Sequence, residues 1–118
     1  MATEDEHQRM RATLSKLLDL IAGLWTLNIL YELYYRGPTR FGKLKRRLGS
    51  ISTRTLTERL RSLEGEGLVA RHYEPTVPPQ VTYSLTKKTD ELGPAIVELQ
   101  QVADKWYGGS IVAPDELR

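Results

Sequence analysis

The chain has 118 residues, 40% of them hydrophobic and 27% charged, a composition that fits one globular domain with a modest core. It contains no cysteine, which excludes disulfide staples, thiolate metal ligands and thiol nucleophiles. The net charge of +2, from 17 Lys and Arg against 15 Asp and Glu, does not by itself point to nucleic acid. The uncharged run 20–31 is 12 residues long, short of the ~20 that a spanning helix needs. The start, Met-Ala-Thr-Glu-Asp-Glu, is acidic where a signal peptide would be basic, so a cytoplasmic protein is expected.

Met10, Leu14, Leu17, Leu18 and Ile21 recur at helical spacing and predict a first helix with one apolar stripe, stopped near Gly23. Trp25, Ile29, Leu30, Leu33 and Tyr34 predict a second helix, apolar over much of its circumference and ended by Gly37 and Pro38. Thr39 is the expected cap of a short third helix, Arg40 to Leu48. Phe41, Leu44 and Leu48 turn inward there, Lys43 and Arg46 outward, and Arg47 lies on the flank. A fourth helix is marked by Ser52 as N-cap and by Ile51 and Leu56 as a hydrophobic staple. Leu56, Leu60 and Leu63 point to the core. Arg54, Glu58 and Arg61 point away, with Thr55, Thr57 and Ser62 on the shoulders, and Gly65 and Gly67 end the helix.

The period then changes. Residues 68–73 and 81–85 alternate and are rich in β-branched and aromatic types, which predicts a hairpin around the stiff loop 74–80. Leu92, Ile96, Leu99, Ala103 and Trp106 form a heptad-like seam. Pro94 leaves two readings, a kinked helix or a separate turn before a helix starting at Gly93. The tail 108–118 has no period and is expected to be mobile.

Charge is unevenly placed. Residues 1–35 carry net −2 and residues 62–118 net −4, whereas residues 36–61 hold nine cations and only Glu58, net +8. Such a block is the electrostatic footprint of a nucleic-acid-binding surface. Two short helices, the second capped and amphipathic, followed by a hairpin, spell a winged helix-turn-helix. The expected fold class is α+β, mainly α, in a single domain. Its expected parts are the helix-turn-helix at about 39–66, the wing at about 68–86 and a C-terminal dimerisation helix at about 87–107.

In that fold the fourth helix would enter the major groove. Arg54 or Arg61 suits guanine, Glu58 suits cytosine, and Thr55 or Thr57 suits the thymine methyl. Arg40, Lys43, Arg46 and Arg47, with the capped start at Ser52 and Thr53, suit phosphates. Arg71 and Gln80 add the wing's share. The plainer alternative is a surface helix whose Glu58–Arg54 and Glu58–Arg61 pairs give only tenths of a kcal/mol. A rival from another class is a winged helix that meets an acidic protein partner and does not bind DNA specifically.

Other chemistry is poorly supported. His7 and His72 are far apart and lack ligand-spaced neighbours, so no metal site is expected. No serine sits in a nucleophile elbow, and Gly65-Glu-Gly is too short to cradle a phosphate. No enzymatic activity and no cofactor are expected. Trp25, Tyr31, Tyr34, Tyr35 and Trp106 are read as core and dimer packing in preference to a small-ligand pocket.

Leu24-Trp-Thr-Leu-Asn-Ile-Leu-Tyr-Glu-Leu, Gly37-Pro-Thr-Arg-Phe-Gly-Lys-Leu, the stretch Ile51 to Glu64, Gly67-Leu-Val-Ala-Arg and the stretch Val77 to Thr86 together resemble the HxlR family of winged-helix transcription regulators. The resemblance covers roughly residues 14–106. It implies a homodimer on a pseudo-palindromic, inverted-repeat operator, joined through the N- and C-terminal helices, with an effector unknown. Leu14, Leu17, Leu18, Ile96, Leu99, Ala103 and Trp106 are the candidate dimer residues. The chain departs from the family pattern in lacking the cysteine that many members use to sense oxidants. It also has Pro78-Pro79-Gln80 where a Pro-Pro-Arg wing is usual, so the wing-tip contact is expected to be polar and uncharged.

Overall fold

A computed structural model describes residues 2–108. Its centre is α2 (Thr26–Arg36), whose Ile29, Leu30 and Leu33 are buried, as a helix apolar over much of its circumference requires. Before it, α1 (Glu4–Ile21) is capped by Thr3, whose hydroxyl accepts from the Glu6 amide. The two helices meet at 84°. At that corner Trp25 takes a left-handed conformation, φ 72°, unusual for a bulky residue.

The helix-turn-helix follows as α3 (Phe41–Leu48) and α4 (Thr53–Gly65). Ser52 caps α4 as expected, its Oγ accepting from the Thr55 amide at 3.0 Å. The other end closes on Gly67, φ 77°. The Gly67 amide donates to the Glu64 carbonyl and the Leu68 amide to the Leu63 carbonyl, a double closure that only a residue tolerant of positive φ permits. This turns the chain directly from α4 into the wing. The wing strands are β2 (Val69–Glu74) and β3 (Gln80–Leu85), antiparallel, with Glu74 opposite Gln80 and Val69 opposite Leu85.

One strand departs from the sequence expectation. Thr39–Arg40 form a two-residue strand, β1, paired with β3 so that the sheet order is β1-β3-β2. Thr39 therefore does not cap α3. Its hydroxyl donates back to the Gly37 carbonyl at 2.8 Å, and Arg40 takes the cap position without a side-chain bond. Two residues carry no readable period, which is why β1 is invisible in the sequence.

Pro94 resolves as a separate turn. A short helix, α5 (Lys87–Asp90), precedes α6 (Gly93–Tyr107), with Pro94 in the first turn, where its missing N–H costs nothing. Gly93 lies directly on the Tyr34 ring, and α6 packs against α2 through Ile96. The core thus gathers α2, the inner faces of α3 and α4, the hairpin root and Ile96. The expected mobility of the tail beyond Gly108 lies outside the described residues.

Candidate nucleic-acid interface

Inward leucines at 56, 60 and 63 fix the rotation of α4, so Ser52, Thr53, Arg54, Glu58 and Arg61 face solvent, with Thr55 and Thr57 on the half-buried shoulders. Arg54 Nε lies 3.1 Å from Glu58 Oε1, with both side chains largely exposed. The Thr57 hydroxyl donates to the Thr53 carbonyl within the helix.

A groove of about 690 Å³ runs beside this face, between α4, β1 and the wing. Arg40 enters it from β1, Thr57 and Arg61 from α4, and Arg71 and Gln80 from the two wing strands. The three guanidiniums outnumber Glu64, the carboxylate in the lining. A helix face beside a cationic groove can place donors on base edges and cations on the flanking phosphates.

Gln80 does not sit at the wing tip. It opens β3 inside the groove, and the tip is the loop 75–79, where Val77 is 99% exposed. The strand begins one residue earlier than the alternation suggests, which draws Gln80 into the ladder. Arg71 leans over Tyr73, 5.7 Å from its ring centre.

A second concavity, about 580 Å³, lies on α3 and the turn before it. Arg40, Lys43, Arg46 and Arg47 line it together with Arg36 from the end of α2. Sequence periodicity does not single out Arg36, because it belongs to a helix read as core. Arg59, counted in the basic block, turns the other way. Its guanidinium lies over Gly23, where a Cβ would stand 3.1 Å from Nη1.

The proposed dimer residues divide. Ile96 is buried in its own domain against α2, and Leu17 is half-buried. Leu14, Leu18, Leu99, Ala103 and Trp106 are exposed. The aromatic group also divides. Trp25, Tyr31 and Tyr35 line a cleft between α2 and α6, Tyr34 packs on Gly93, and Trp106 faces solvent. No group of three or more potential metal ligands occurs among the described residues. No single helix among them is long and apolar enough to cross a membrane.

A capped helix-turn-helix, a three-stranded sheet ending in a β2–β3 hairpin, and a cationic groove between them define a winged helix-turn-helix protein. A model of the HxlR-like helix-turn-helix family matches residues 20–110. An uncharacterized HTH-type transcriptional regulator of Halalkalibacterium halodurans is 48% identical over 82 residues, 70% of this chain and 73% of the relative. The uncharacterized HTH-type transcriptional regulator YvaP of Bacillus subtilis is 35% identical over 97 residues, 82% and 89% of the two chains. Among solved structures, the redox regulator HypR in its oxidized form superposes with a TM-score of 0.73 at 34% identity, over 79% of this chain and 95% of its own. The chain belongs to the HxlR-like helix-turn-helix family and is a transcriptional regulator of that fold.

Proposed function

We propose that the protein is a homodimer that binds double-stranded DNA sequence-specifically at an inverted repeat, and that it has no enzymatic activity. The observation that carries this is the groove in which Arg40, Arg61, Arg71 and Gln80, from three separate parts of the fold, converge beside the exposed face of α4. Four of the five residues that line the adjoining α3 concavity as cations follow Gly37 within one short stretch, which supports phosphate clamping next to base contact. A two-fold axis would set two α4 helices ~34 Å apart, one turn of duplex, hence the inverted repeat. A protein that reads the chromosome in this way works in the cytoplasm.

A salt titration of duplex binding tests the reading. Log affinity is expected to fall linearly with log salt, by about 0.9 per phosphate contacted. Arg61→Ala should relax base preference and cost about 1–3 kcal/mol on the selected site. Lys43→Ala and Arg46→Ala should instead weaken all sequences alike and make the slope shallower by about one. Absence of duplex binding at low salt would sink the proposal and favour an acidic protein partner.

A further inference from the structure

Arg59 belongs to the basic block 36–61, yet α4 turns it, half-buried, towards the corner between α1 and α2. Its guanidinium forms no hydrogen bond or ion pair with the described residues and lies over Gly23. Gly23 follows directly on Ala22, the C-cap of α1. The last carbonyls of a helix have no amide of their own helix to receive, and the helix dipole is negative there. The last turn of α1 holds Asp19 and no basic residue, so the cation nearest this end is supplied by α4. The approach is close. A Cβ at position 23 would stand 2.9 Å from the Oγ1 of buried Thr26 and 3.1 Å from Arg59 Nη1. Gly23 has no positive φ, so the glycine serves this approach and not the backbone. The corner itself is a turn in which the Thr26 amide donates to the Gly23 carbonyl at 3.0 Å, with Trp25 left-handed between them. Beyond the corner, α1 reaches the core only through Leu20 and Ile21, so few other contacts fix its direction.

We propose that Arg59 is a positioning residue for operator recognition: it clasps the reading helix α4 to the end of α1 and so sets the angle between the reading face and α1. This rests on the reading above, in which the protein binds DNA as a dimer joined in part through α1. On a two-fold operator the half-site spacing follows the separation of the two α4 helices. That separation depends on how firmly each α4 is held to the helix that meets the second copy. Arg59 contacts no base in this arrangement and acts through α4. A loosened clasp leaves each half-site readable but lets the two reading faces settle at several separations.

Two measurements on the full chain test the clasp. Without DNA, hydrogen exchange over residues 20–26 should quicken about threefold in Arg59→Met, which keeps an apolar stem and removes the charge. Arg59→Lys, which keeps the charge, should stay near the wild type. With DNA, the selected inverted repeat is compared with versions of shorter and longer spacer and with a single half-site. Arg59→Met and Gly23→Ala should reduce the preference for the best spacer about tenfold, with half-site affinity held within about twofold, and Arg59→Lys should retain the preference. An unchanged spacer preference in both variants would overturn the proposal. So would equal losses on the half-site and the full repeat, since Arg59 would then serve the fold or a phosphate. Unchanged exchange in Arg59→Met would show that no clasp exists and overturn it too. A wild type that binds no duplex would remove the DNA reading and the positioning role together, whereas the exchange measurement judges the clasp apart from that reading.

Discussion

Thr89 shows how much a single hydroxyl can hold. It is buried, and its Oγ1 donates to the Leu68 carbonyl at 2.8 Å, tying α5 to the root of the wing. Leu68 also receives the Thr86 amide, so removing the hydroxyl does not orphan the carbonyl. Thr89→Val, similar in shape, removes this bond and the 2.9 Å contact with the Thr86 hydroxyl, and is expected to cost about 1 kcal/mol in urea unfolding. Gly93→Ala should cost more, about 1–3 kcal/mol, because the new methyl enters the Tyr34 ring and α2 and α6 must separate to admit it. The same melts rank the two, and a milder effect for Gly93→Ala would mean that the contact yields freely. Neither role is legible in the sequence. Each depends on a partner 21 or more positions away, and residue type reports only local preference.

At the scale of elements, what repeats was readable and what does not was missed. The stripes of α1, α2 and α4 and the Ser52 cap follow from spacing alone, because 3.6-residue periodicity and an oxygen acceptor at the N-cap are local signals. Strand β1 has two residues and exists only because β3 supplies the other half of its ladder. The outward face of α4 was likewise legible, yet its internal pairing changes what each residue is free to do. The Arg54–Glu58 pair is 88% and 63% exposed at the side chains, so it adds at most a few tenths of a kcal/mol to stability. Glu58→Ala is thus expected to leave the unfolding midpoint within ±0.5 kcal/mol of equivalent stability. In binding it should raise affinity for unrelated duplexes and lower the ratio of selected to random sites, because it frees Arg54 and removes a negative charge that would repel the duplex. Competition binding with both kinds of duplex measures this. An unchanged ratio would remove Glu58 from the reading face.

The whole molecule is longer than its own core requires. The radius of gyration is 16.6 Å, against about 13 Å for a compact chain of this length. The excess comes from α1, 18 residues with none buried, which meets the core only through Leu20 and Ile21 at its end. Its stripe of Met10, Leu14 and Leu18 is exposed, and on α6 so are Leu99, Val102 and Trp106, the last at 70%. Helical stability in a protein ordinarily comes from packing an amphipathic face rather than from propensity. Of the apolar positions that marked both helices in the sequence, Ile21, Leu92 and Ile96 pack on this domain's core and most of the others do not. The demand of those others is met by the proposed second copy. If so, sedimentation should find a dimer at micromolar concentration, and Leu14→Glu with Leu18→Glu should give a monomer while the domain around α2 stays folded. Loss of α1 packing should also lower the helical signal in circular dichroism by the share that α1 contributes. Binding to an inverted repeat should fall steeply in the double variant, whereas affinity for a single half-site should change little, since α3, α4 and the wing are untouched. A wild-type chain that sediments as a monomer with α1 fully helical would overturn both the two-fold operator and this account of why α1 exists.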